Sequence, residues 1–247
     1  VEEVQTMMGW RARLGFLVPP GNPTVEPEMM QLAPAGVSLH FSRLVAHGPT
    51  GTPEGQEERN RSYLDHIGAS TSLLAMVQPD VIVLAHTASS YVMSSQDEAT
   101  LLAQLQASSQ SRVITAAGSV LAALHHLNVR HIALATPYAE EISEQGKRYL
   151  TDHGLHVVGY GRLENVRNIY EETAERAYRL ARRADTPEAD AVFISGTGLP
   201  TLSVLSMLEA DLGKPVISSA TAMMWNALRL AGVGQTIEGY GRLLNMS

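Results

Sequence analysis

Pro79-Asp80-Val81-Ile82-Val83-Leu84-Ala85-His86-Thr87 is a short apolar run that opens after an acidic turn and ends in small polar residues. It returns 110 residues later (His86 to Gly196) as Ala189-Asp190-Ala191-Val192-Phe193-Ile194-Ser195-Gly196-Thr197. A run this short, bounded by turn residues and apolar on both faces, reads as a fully buried strand. Two more stretches repeat in the same order. Leu14-Gly15-Phe16-Leu17-Val18-Pro19-Pro20 returns as Ile132-Ala133-Leu134-Ala135-Thr136-Pro137-Tyr138, 118 residues on (Pro19 to Pro137). Val113-Ile114-Thr115-Ala116 returns as Val216-Ile217-Ser218-Ser219, 103 residues on (Val113 to Val216). Common order at similar spacing points to duplication rather than to the general likeness of buried strands.

Working outward, eight apolar runs are strand candidates: residues 14–18, 37–41, 81–85, 113–115, 132–135, 156–158, 192–194 and 216–218. Longer amphipathic stretches lie between them. Ile142, Tyr149 and Leu150 share a helical face that Gly154 would cap. Residues 170–183 read as another helix. Glu171, Glu172 and Glu175 stand early and Arg179, Arg182 and Arg183 late, as the helix dipole favours. Strands alternating with helices predict a mainly parallel α/β sheet. The repeat divides the chain into an α/β half over residues 11–116, a second over 117–223, and a tail over 224–247 that packs back on the first half.

Composition narrows the function. The 247 residues carry 18 Lys+Arg against 25 Asp+Glu, a formal net charge of −7, which argues against non-specific nucleic-acid binding and gives no pull toward an anionic membrane. The cysteine count is zero, so disulfides, thiolate metal sites, iron–sulfur clusters and cysteine nucleophiles are excluded. Residues 1–13 lack the basic-then-apolar design of a signal peptide, and the expectation is a cytoplasmic protein. His125-His126 has no carboxylate at metal-ligand spacing and reads as packing, Lys147 and Lys214 are poorly placed for a Schiff base, and Met223-Met224-Trp225 reads as helix core. No metal and no cofactor are expected.

In open parallel sheets, ligands bind beyond the carboxyl ends of the strands. Two facing halves would bring four such ends together: residues 19–24, 86–90, 137–138 and 195–200. Pro20, Gly21 and Asn22 form a stiff bend, and Asn22 could hold a carboxylate while Thr24 caps the next helix. His86 stands at a strand end with a proton affinity suited to acid–base work, and a structural, hydrogen-bonded histidine is the competing reading. Thr87 and Ser89 offer hydroxyls, and Ala88 an amide at the start of a helix. Gly196, Thr197 and Gly198 let backbone amides approach an oxygen closely. Tyr138 would add a phenol to the same cleft, unless it only packs. Neither a G-x-S-x-G elbow nor a G-x-G-x-x-G fingerprint is present.

These loops, in this order, resemble the aspartate/glutamate racemase superfamily, in its arylmalonate decarboxylase and maleate cis–trans isomerase branch. The likeness covers nearly the whole chain. It rests on residues 18–26, 135–138, 194–199 and 215–219, and on Gly239-Tyr240-Gly241-Arg242-Leu243. It implies two pseudo-symmetric Rossmann-like (flavodoxin-like) halves with the active site between them. Family members carry a cysteine at the end of one or both central strands, and those positions here align with His86 and Gly196. The resemblance further implies a small carboxylic or dicarboxylic acid as substrate, with Thr87, the Ala88 amide, Tyr138 and the Gly196 and Thr197 amides holding an enediolate. Asn22 matches an asparagine that holds a substrate carboxylate in the isomerases. Decarboxylation depends least on a thiol, with His86 protonating the carbanion instead. A cysteine-free isomerase and a carboxylate-binding protein without catalysis are the alternatives. A homo-oligomer is compatible with the family.

Overall fold

The computed structural model describes residues 7–49 and 53–246. Of the N-terminal stretch read above as lacking a signal, residues 1–6 lie outside the described residues. The chain runs β1 (Ala12–Val18), α1 (Val25–Leu32), β2 (Val37–Arg43), α2 (Pro53–Ala75), β3 (Val81–Leu84), α3 (Thr87–Val92), α4 (Ser95–Ser109), β4 (Arg112–Thr115) and α5 (Ala116–His126). It continues through β5 (His131–Thr136), α6 (Glu140–Asp152), β6 (His156–Arg162), α7 (Ala174–Ala184), β7 (Ala191–Ile194), α8 (Leu205–Leu212), β8 (Val216–Ser218) and α9 (Ser219–Leu230). All eight apolar runs form strands.

The strands make two four-stranded parallel sheets, ordered β2-β1-β3-β4 and β6-β5-β7-β8. The repeat extends to register. Leu14 pairs with Val81 in the first sheet, and Ile132 with Ala191 in the second, which are the same repeat partners. Ile82–Val113 and Val192–Val216 correspond in the same way. In each sheet the chain order reverses beside the first strand, so the ends of β1 and β3, and of β5 and β7, flank the crevice where such folds take ligands.

One continuous core includes residues of both sheets, from Leu14 and Val83 to Leu134 and Phe193. A second cluster lies on the outer face of the first sheet, where Tyr63, Ile67 and Leu74 of α2 meet Leu17, Ile82 and Leu84. Helices α5 and α9 follow the last strand of each sheet and pack on one another, and α9 also reaches β1 and β3 of the opposite sheet. Thr115 and Ser218 cap them alike, each accepting the N–H three residues on. The Asn226 amide donates to Ser119 Oγ across the pair at 3.3 Å. Met223 and Met224 are buried in α9, and His126 packs on the Trp225 ring.

Two local expectations need correction. The helix read over residues 170–183 starts at Ala174, because the Thr173 hydroxyl caps it by accepting the Arg176 N–H. Residues 169–171 form a separate 3₁₀ turn, and Glu172 joins the helix only through its ion pair with Arg176. Thr24 stands at the N-terminus of α1, but its side chain makes no capping bond. That role falls to Asn22, whose Oδ1 accepts the N–H groups of Thr24 and Val25 at 2.8 and 3.0 Å. The boundary read at residue 223 falls inside α9.

Candidate active site

The four expected loops meet. Asn22 Nδ2, from the first half, reaches the Thr197 carbonyl and hydroxyl of the second at 3.3 and 3.4 Å. The Thr24 hydroxyl donates to the Gly198 carbonyl at 3.0 Å, and Thr197 Oγ1 donates to the Ala85 carbonyl at 2.9 Å. Asn22, Thr87, Ser89, Thr197 and Tyr138 are all buried. Pro20 lies on the exposed rim, ahead of the Asn22 bend.

The oxygen-holding groups converge on Tyr138. The Thr87 side chain and the Ala88 backbone lie near enough to its hydroxyl to influence its proton affinity. Burial holds this phenol well above its ordinary proton affinity, reinforced by Tyr91 and Tyr170, so it stays neutral and keeps a proton to donate. The Thr197 N–H has no acceptor among the described residues. The Gly196 N–H is committed, donating to Ser219 Oγ at 3.2 Å, and Thr87 Oγ1 donates to the same oxygen at 3.0 Å. Of the two amides expected from that loop, only that of Thr197 is left without an acceptor among the described residues.

His86 caps the start of α3 in an extended conformation. Its Nδ1 lies 2.7 Å from Ser89 Oγ, and the Tyr63 ring stands edge-on to the imidazole at 5.1 Å. Burial lowers its pKa to about 4, because charging the ring there forfeits hydration that no carboxylate among the described residues replaces. His86 is therefore neutral at neutral pH.

At the equivalent position of the second half, Gly196 has φ of +98°. A side chain there would be strained, and its Cβ would stand 3.1 Å from Pro137 Cγ and 3.3 Å from the Tyr138 hydroxyl. Backbone conformation and the phenol beside it thus disfavour any side chain at residue 196.

Three site residues had escaped the sequence reading. The Tyr170 ring lies between Gly21 and Gly198, where Cβ atoms would come within 3.2 and 2.8 Å of it. The acidic-to-basic charge gradient had assigned Tyr170 to a helix instead. Tyr63 and Tyr170 are hydrogen-bonded to each other across the halves, with Arg59 bonded to Tyr63. Nothing in the α2 sequence marks Tyr63 out. Ser219 carried a signal: its repeat partner is Ala116, so a hydroxyl stands where the first half has none.

Three comparisons agree with this geometry. The family model described as "Arylmalonate decarboxylase" matches residues 14–244. Maleate isomerase of Nocardia farcinica is 32% identical, covering 96% of this chain and 96% of that protein. Arylmalonate decarboxylase of Bordetella bronchiseptica is 30% identical, covering 95% and 97%. Among solved structures, the Nocardia farcinica maleate cis-trans isomerase bound to TRIS superposes with a TM-score of 0.84 at 28% identity, covering 95% of this chain and 98% of that one. A crystal structure of arylmalonate decarboxylase gives 0.77 at 28% identity, covering 95% and 100%. With the family model matching residues 14–244 and both relatives at 30% identity or more over nearly their whole length, the chain belongs to the arylmalonate decarboxylase family.

Proposed function

We propose that the protein is a cofactor-independent enzyme that decarboxylates a small substituted malonic acid through an enediolate, with His86 in place of the usual cysteine acid. The observation that carries this is the convergence of Tyr138, Thr87 and the Ala88 N–H on one oxygen position beside His86. One substrate carboxylate would be held there by the Tyr138 hydroxyl and the Ala88 N–H, with the Thr197 N–H as a further donor and the Thr87 proton turning from Ser219 to join them. As the second carboxylate leaves as carbon dioxide, its bonding electron pair moves into the retained group. Charge then grows on oxygens already faced by oriented donors, the arrangement that lowers such barriers most. The α-carbon of the enediolate finally takes a proton from His86. His86 is neutral at rest; a carboxylate bound against it raises its proton affinity, so substrate binding draws a proton from water onto the ring, and that proton is the one delivered to carbon.

Carbon dioxide release from methyl- and phenylmalonate measures the reaction. We expect turnover by the wild type and a loss of at least about a hundredfold in kcat for His86→Ala, the low end for a general acid. Full turnover by that variant would remove His86 from the mechanism. A second reading, cis–trans isomerisation of a butenedioic acid without a covalent cysteine, is supported by the 32% identity to a maleate isomerase. Maleate-to-fumarate conversion followed by NMR separates the two. Ligand-induced thermal stabilisation by malonates with neither reaction would leave a carboxylate-binding protein.

A further inference from the structure

We infer that Ser89 is a positioning residue that holds His86 as its Nε2–H tautomer. The catalytic consequence rests on the His86 role proposed above, whereas the tautomer itself does not.

The argument starts from the proton on Ser89. Both side chains are buried, and Ser89 Oγ lies 2.7 Å from His86 Nδ1. A helical serine or threonine ordinarily donates to the carbonyl four residues back. Thr71, Ser72, Thr100, Ser109, Ser119 and Thr151 all do so in this chain. For Ser89 that carbonyl, Ala85, precedes the helix, and no such bond forms. Among the described residues the one partner of Ser89 Oγ is His86 Nδ1, so the Ser89 proton has no other acceptor there. A neutral imidazole accepts at one nitrogen and donates from the other. With Nδ1 accepting, the ring proton sits on Nε2, which has no partner among the described residues. The reverse arrangement, Nδ1–H donating to Oγ, would strand the serine proton in a fully buried place.

The imidazole is fixed from the side away from its free nitrogen, so Nε2–H is presented as a donor to whatever lies against it.

Nitrogen NMR of the ring atoms in histidine-labelled protein, near pH 8, tests this. The His86 signals are assigned by their loss in His86→Gln. We expect Nδ1 unprotonated and Nε2 protonated in the wild type and in Ser89→Thr. We expect a mixture of tautomers in Ser89→Ala. A wild-type ring protonated at Nδ1, or shifts unchanged in Ser89→Ala, would overturn the inference. On a malonate substrate, Ser89→Ala should lower kcat by about tenfold or more with KM nearly unchanged, and Ser89→Thr should restore it. An equal loss in both variants would count against positioning. Should the wild type turn nothing over, the proposed function fails while the NMR result still decides the tautomer.

Discussion

His86 shows how burial alone sets a residue's chemical state. Its folded pKa of about 4 lies below the ordinary value of 6.5 because the ring is desolvated and has no anion beside it. Between those pH values the unfolded chain binds a proton that the folded chain refuses. Stability therefore rises with pH through that window, is fully present above about 6.5, and is lost as pH falls toward 4. The difference amounts to about 3 kcal/mol. Urea unfolding at pH 7 and pH 4.5 should show a clearly smaller loss in His86→Gln than in the wild type. The comparison has to be between those two proteins, because His40 is also held below its usual range by burial and by Arg13. Equal losses would mean that His86 is charged in the folded state. The sequence had marked His86 by its place at a strand end and by its match to a family thiol. It could not show the neutral state, because that depends on Tyr63 from α2 and on the walls of both halves.

Among the elements, α1 shows a charge used for joining rather than for catalysis. Glu28 is buried and faces the loop after β7, where its Oε1 accepts the Thr201 N–H at 2.7 Å and the Leu202 N–H at 3.1 Å. Burial raises its pKa, while those N–H donors pull it back down. Glu28→Ala would leave two buried N–H groups without an acceptor, at a cost of about 2–3 kcal/mol. Glu28→Gln keeps an acceptor oxygen and should cost about 1 kcal/mol or less. Chemical denaturation of the two variants checks the order, and equal losses would show that the charge rather than the acceptor matters. Elements differed in how well the sequence announced them. The strands were legible because burial on both faces leaves an uninterrupted apolar run, and all eight formed. The α7 start was not, because Glu171 and Glu172 fit a helix dipole as well as they fit a preceding turn. What separated the readings was the Thr173 hydroxyl reaching the Arg176 N–H, a three-residue contact that charge order does not report. The Asn22 and Thr24 exchange has the same origin: both are good capping residues, and the Gly198 carbonyl, from the other half, drew the Thr24 hydroxyl away.

For the whole molecule, the internal repeat carried most of the fold, down to which residues pair between strands. It carried less of the site, because the two halves have diverged where they meet. One presents an imidazole and the other a glycine held at a φ that side chains avoid. The halves are nonetheless joined by a single core that runs through α5 and α9, by the Asn22–Thr197 and Thr24–Gly198 bonds, and by the Glu28 contact. A half separated from its partner would expose the α5–α9 face and the buried loop polar groups together, and the small cluster between α2 and the first sheet is all the core that the first half would keep to itself. The chain should therefore unfold in one cooperative step. Trp225 reports on this directly, since it is buried on α9 against His126 of α5. The only other tryptophan, Trp10, is about half exposed near the N-terminus and can be replaced by Phe to leave one probe. In Trp10→Phe, the urea midpoint from Trp225 fluorescence should coincide with that from far-ultraviolet circular dichroism. A fluorescence change at clearly lower urea, with most helical signal retained, would mean that the halves part before they melt.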